Sequence, residues 1–130
     1  MKPVNVFIID DDKLFVFLTK KTINSTNIVT NITEFGDGEE AIKYLRQNTR
    51  NSEMLPDVIL LDISMPIMDG WEFLEEYTAL IPAIEKNIKL YIFSSSISPH
   101  DIERAKNINA VSDFIIKPLL KEKFIEMIEN

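Results

Sequence analysis

Short apolar runs and longer amphipathic stretches take turns along this chain. Residues 4–9 are apolar apart from Asn5 and end in Asp10-Asp11-Asp12, which predicts strand β1 and an acidic turn. Over 13–23, Leu14, Phe17, Leu18 and Lys21 recur at helical spacing and predict helix α1. Phe15 and Val16 fall outside that stripe. Either they stand partly exposed beside the acidic turn, where a partner helix could dock, or α1 is buried all round. Asn24-Ser25-Thr26-Asn27 breaks the helix. Residues 28–35 alternate imperfectly, are rich in β-branched side chains and predict β2. Gly36-Asp37-Gly38 turns the chain into α2 at 39–47, with Ala41, Ile42 and Leu45 inward. The polar stretch 48–55 reads as a long, mobile loop.

The second half keeps the same rhythm. Val58-Ile59-Leu60-Leu61, bounded by Pro56 and Pro66, is an unbroken apolar run of strand length. It predicts strand β3 at 57–61, buried on both faces and leading into Asp62. Beyond Asp69-Gly70, the residues Trp71, Leu74, Tyr77 and Ile81 mark one face of α3, with Pro82 near its end. Strand β4 is predicted at 89–93, followed by Ser94-Ser95-Ser96. Ser98 can cap a helix, Pro99 suits its first position and Asp101 can reach back, so α4 starts there and runs to about 107. Residues 111–116 contain β5, which ends in Lys117-Pro118, and α5 at 120–129 turns Leu120, Phe124 and Ile128 inward.

Strand and helix alternating five times predict an α/β fold. The expected architecture is a three-layer, doubly wound (βα)5 unit, with a five-stranded parallel sheet, helices on both faces and right-handed crossovers. All the strand ends then open on one edge, where such sheets bind ligands. That edge collects Asp10, Asp11, Asp62, Ser94 and Lys117.

Composition narrows the classes. The 130 residues favour one domain, 1–130, without an output domain, and 45% apolar with 27% charged residues is ordinary for a globular protein. A net charge of -7 argues against sequence-independent nucleic-acid binding and direct control of transcription. The chain has no cysteine, so no disulfide and no thiolate metal site, which suits a reducing compartment. Residues 1–9 lack the apolar core of a signal peptide, and no apolar stretch approaches the roughly 20 residues that span a bilayer. The expectation is a cytoplasmic monomer that binds neither membrane nor nucleic acid.

Three carboxylates converging on one edge repel each other and stay ionised only around a cation. A hard divalent ion such as Mg²⁺ suits oxygen ligands. A Lys and a Ser hydroxyl at the same edge could hold phosphoryl oxygens around a nucleophilic carboxylate. Each residue also has a plainer reading. One Asp of 10–12 could cap α1, and Asp12 suffices for that. Asp62 could cap a turn, Lys117 could be a snorkelling surface side chain, and Ser94 to Ser96 could be simple loop. These plain readings would all have to coincide at one edge. His100, the only histidine, reads as a surface residue, and Trp71 as core.

With Asp10-Asp11 after β1, Asp62, Met65-Pro66 and Asp69-Gly70 after β3, Ser94 after β4 and Lys117-Pro118 after β5, the chain resembles a receiver domain of two-component response regulators. It is similar to the single-domain, chemotaxis-type kind over about 4–128. The resemblance implies a flavodoxin-like sheet of order 2-1-3-4-5. It implies that Asp62 accepts a phosphoryl group from a histidine kinase or phosphotransfer protein. Asp11, Asp62 and the backbone carbonyl of Ser64 would ligate Mg²⁺, with Asp10 acting through water. Lys117 would bridge to the phosphoryl group, Ser94 would swing in to bond it, and Phe114 would change rotamer with it. The Lys117-Pro118 bond would be cis, and α4, β5 and α5 would present the readout surface. Such a protein is a phosphoacceptor rather than a conventional turnover enzyme.

Some details depart from the commonest family pattern. Ser94 stands where Thr is frequent, with Ser95 and Ser96 following, so the switch hydroxyl could be one place off. Phe114 lacks the hydroxyl of the Tyr often found there. Ser64 and Ser96 fall at rim positions that influence phosphoryl lifetime in the family. Asp10-Asp11-Asp12-Lys13 also resembles the start of haloacid-dehalogenase-like phosphatases, with Asp10 as nucleophile and Asp12 as general acid. Against that, no further acidic pair follows Lys117 at a strand end, and 130 residues leave no room for a cap over the substrate. A receiver-like binding module that is never phosphorylated is a third reading.

Overall fold

The computed structural model describes residues 2–95 and 97–129. In chain order the elements are β1 (Val4–Ile9), α1 (Lys13–Asn24), β2 (Thr30–Phe35), α2 (Gly38–Gln47), β3 (Val58–Leu61), α3 (Gly70–Leu80), a short 3₁₀ turn (Ile81–Ala83), β4 (Lys89–Ser94), α4 (Pro99–Lys106), β5 (Val111–Ile116) and α5 (Lys121–Glu129). The five strands pair in parallel in the order β2-β1-β3-β4-β5. This is the predicted doubly wound sheet.

Side-chain alternation along the central strands divides the interior in two. Phe7, Ile9, Ile59, Leu61, Leu90 and Ile92 point to one face, where Ala41, Ile42 and Leu45 of α2, Phe73, Leu74 and Tyr77 of α3 and Ala105 of α4 cover them. Val6, Ile8, Val58, Leu60, Tyr91 and Phe93 point to the other, beneath Val16 and Ile23 of α1 and Phe124 and Met127 of α5. A strand such as β3 must be apolar at every position because each neighbouring residue feeds a different core. The edge strands β2 and β5 face water on part of their length and mix polar with apolar residues.

Helix starts follow the local chemistry. Asp37 caps α2, Asp69 and Glu72 form a reciprocal capping box on α3, and Ser98 and Asp101 form another on α4 with Pro99 in its first turn. Among the described residues, no helix is long and apolar enough to cross a membrane.

Several packing expectations change. On α1 the buried residues are Val16, Thr19 and Ile23, while Leu14, Phe17 and Leu18 face solvent at 65%, 58% and 43% exposure. The helix is rotated relative to its most apolar stripe. On α3, Phe73 is fully buried, and Ile81 lies beyond the helix in the 3₁₀ turn and is exposed. At the start of α5, Leu119 is buried and Leu120 is exposed, and Met127 packs inward more fully than Ile128. The 48–55 loop is anchored. Asn5 Nδ2 donates to the carbonyls of Glu53 and Leu55, Lys86 Nζ donates to those of Ser52 and Leu55, and the Leu55 side chain is buried.

Candidate functional site

The ends of β1, β3, β4 and β5 bring the predicted residues together. Asp10, Asp62 and Lys117 each follow the last residue of a strand, and each backbone N–H makes one more ladder bond. Asp10 donates to the Phe35 carbonyl at 2.9 Å, Asp62 to that of Ile9 at 2.9 Å, and Lys117 to that of Ser94 at 2.8 Å. The sheet's own hydrogen bonding therefore carries through to the first residue of each functional loop, which fixes where these side chains leave the backbone.

Asp10, Asp11 and Asp62 each offer a carboxylate oxygen within 4.8 Å of the others. Asp10 and Asp62 are buried, whereas Asp11 faces solvent. The Lys117 ammonium lies 2.7 Å from Asp10 Oδ2, with both side chains almost wholly out of water. Asp10 Oδ1 accepts the Asp12 N–H at 2.9 Å. Burial raises the Asp62 carboxyl from its ordinary value to about 6, the Asp10 charge adds to the rise, and Lys117 and a hydrogen bond from the Ser64 backbone oppose it. A buried carboxylate crowded by a second one lacks positive charge, and hard oxygen donors open to water on the Asp11 side suit Mg²⁺. The donor set fits the group expected there.

Ser94 closes β4 and is buried, while Ser95 faces solvent. Ser96 lies outside the described residues. Phe114 pairs with Ile92 across the sheet edge and packs, half-buried, against the core beneath α2, α3 and α4. The Lys117-Pro118 bond is cis. Trp71 packs on the same core as Phe114, with the Arg104 guanidinium 4.3 Å above its ring. His100 is exposed on α4.

Asp12 is the N-cap of α1, its carboxylate accepting the N–H groups of Leu14 and Phe15. The Asp12 carboxylate is therefore engaged at the helix end rather than turned wholly to the site. From sequence Gly70 reads only as part of a turn. A Cβ there would lie 2.7 Å from the Asp62 carbonyl oxygen and from Ile63 Cα, so the start of α3 can pass the Asp62 loop only as glycine. Its N–H donates to the Ile63 carbonyl at 2.8 Å. Phe15 stands partly exposed beside the acidic turn, as one of its two expected placements had it, while Val16 is buried; its contact with Lys117, and that of Phe93, were not expected from sequence. The usable signal for Phe15 was its place in the first helical turn after the acidic loop.

The family profile described as response regulator receiver domain matches residues 6–129. A probable methanogenesis regulatory protein, FilR2, of Methanothrix harundinacea is 28% identical over 98% of this chain and 81% of its own length. The chemotaxis protein CheY of Listeria monocytogenes is 29% identical over 95% of this chain and 94% of its own. The crystal structure of a two-component response regulator from Cytophaga hutchinsonii superposes with a TM-score of 0.88 at 27% identity, covering 99% of this chain and 96% of that one. In other curated relatives the chain spans less than two thirds of the whole, 38% of one and 27% of another. Both the carboxylate, hydroxyl and lysine residues at the strand ends and the match over nearly the whole chain lead to one conclusion: this chain belongs to the response regulator receiver domain family, the signal-receiving part of two-component systems.

Proposed function

We propose that Asp62 is the phosphoacceptor of this receiver domain. The observation that carries the reading is a buried carboxylate with a raised pKa at the carboxyl edge of the sheet, within 4.8 Å of two others and near a buried lysine. Receiver domains take phosphoryl groups from histidine kinases, and here the donor would be such a kinase or a histidine phosphotransfer protein. An Asp62 oxygen attacks phosphorus in line as the donor's bond to phosphorus breaks. Asp11, Asp62 and the Ser64 carbonyl would hold Mg²⁺, with Asp10 acting through water. The ion would supply positive charge that offsets the crowded carboxylates and the phosphoryl oxygens. Lys117 would contribute a second positive charge and Ser94 a hydroxyl donor. Phe114 and the surface of α4, β5 and α5 would carry the change onward.

The test is intact-mass spectrometry after incubation with Mg²⁺ and acetyl phosphate, alongside Asp62→Asn and Asp10→Asn. The expected result is one phosphoryl group on the wild type, none on Asp62→Asn, and none when Mg²⁺ is chelated. Label that survives in Asp62→Asn and vanishes in Asp10→Asn would transfer the chemistry to Asp10. A folded wild type that takes no label and binds no Mg²⁺ would be a binding module instead.

A further inference from the structure

Lys117 is held by more than Asp10. Its ammonium lies 4.6 Å from the centroid of the Phe15 ring and 5.5 Å from that of Phe93. Its side chain is 4% exposed. Phe93 belongs to the core beneath α1 and α5. Phe15 does not. It is half-buried, and it is absent from the apolar groups packed against either core among the described residues. The ring lies against the lysine. The first turn of α1 fixes its place, because the Phe15 N–H donates to the capping Asp12 carboxylate at 3.2 Å.

Resting on the phosphoacceptor reading of Asp62, we propose that Phe15 is a positioning residue that acts through Lys117. Its ring face keeps water off the ammonium and holds the lysine stem inside the site. The physical reason lies in the kind of contact. A lysine has four rotatable carbons and escapes to water readily when nothing retains it. A carboxylate retains it with a directed bond, and Asp10 alone would tie the ammonium to one orientation. An aromatic face attracts the cation without selecting among its three N–H groups. Between Asp10 and two rings, the ammonium can turn a donor toward a phosphoryl group on Asp62 without losing its remaining support. The charge then stands in place before transfer begins and needs little reorganisation. An aliphatic side chain of similar bulk would fill the space but would lack the attraction. The acidic turn would thus do two jobs: Asp10 and Asp11 face the reaction, while Asp12 caps the helix turn that carries Phe15.

The experiment compares wild type, Phe15→Leu, Phe15→Tyr and Phe15→Trp by two readouts. The first is the rate of Asp62 phosphorylation by acetyl phosphate at saturating Mg²⁺, followed by intact mass. The second is the NMR chemical shift of the Lys117 ε-methylene, which ring currents displace. Phe15→Leu should slow labelling on the order of fivefold, the effect of a partly desolvated cation–π contact. It should also return the Lys117 signals toward ordinary lysine values. Phe15→Tyr and Phe15→Trp should stay within about twofold of wild type, since both keep a π face. Thermal melts check that each variant is folded, and Phe15→Met serves as the non-aromatic variant should Phe15→Leu fail. Equal labelling rates for wild type and Phe15→Leu overturn the proposal, as does Phe15→Tyr matching Phe15→Leu. If the wild type takes no label, the phosphoacceptor reading fails separately. The ring contact is then judged on the Lys117 shift, and a shift unmoved by Phe15→Leu overturns it.

Discussion

The two edges of the central sheet handle charge in opposite ways. At the amino edge, each charged group described has a direct partner, a carboxylate or a backbone group. Lys86 Nζ meets Asp57 Oδ1 at 3.2 Å and the Ser52 and Leu55 carbonyls at 2.9 Å each. The other Asp57 oxygen accepts the Asn5 N–H at 2.8 Å, and Lys89 donates to the Met127 carbonyl at 3.1 Å. At the carboxyl edge, Asp10, Asp11 and Asp62 crowd together with Lys117 as the nearby ammonium. The amino edge ties a loop to the body. The carboxyl edge carries excess negative charge in a partly dry site, an arrangement that opposes folding.

Changes at each edge should separate these roles. The largest effect is expected from Gly70→Ala, whose Cβ meets backbone rather than a flexible side chain. It should destabilise the fold by about 3 kcal/mol and weaken Mg²⁺ binding, measured by urea unfolding and titration calorimetry. Asp62→Asn should have the opposite sign. Folding raises the Asp62 pKa from 3.8 to about 6, so the folded state binds more protons than the unfolded chain between those values. Wild-type stability without Mg²⁺ therefore falls as pH rises through that window, and above it the ionised group costs about 3 kcal/mol. Urea melts from pH 4 to 7 should show Asp62→Asn overtaking wild type across the same interval. A constant offset would place the cost elsewhere. The smallest effect belongs to the amino edge. Lys86→Met should cost about 1 to 2 kcal/mol, because its pair with Asp57 is partly solvated. Mg²⁺ affinity and Asp62 labelling should not move, and a change in either would show that the two edges are coupled.

The legible parts of the sequence were those where one local rule acts alone. Val58 to Leu61 announced a central strand because every position there faces a core. Ser98, Pro99 and Asp101 announced a helix start because capping is settled within four residues. The rotation of α1 was not legible. The stripe of Leu14, Phe17 and Leu18 is more apolar than the stripe that packs, because Thr19 stands in the buried one. The 48–55 loop looked mobile because its anchors, Asn5 and Lys86, come from distant parts of the chain.

Sequence alone thus determined the order of strands and helices, and with it the edge on which Asp10, Asp11, Asp62, Ser94 and Lys117 must gather. Parallel topology carries every strand end to the same side, so spacing along the chain becomes proximity. Only the tertiary structure decided how those groups meet. It placed Lys117 on Asp10 and under the Phe15 ring, burial raised the Asp62 pKa, and Gly70 became obligatory. Those outcomes depend on distances of a few ångströms between residues far apart in sequence, and packing of the whole fold sets such distances.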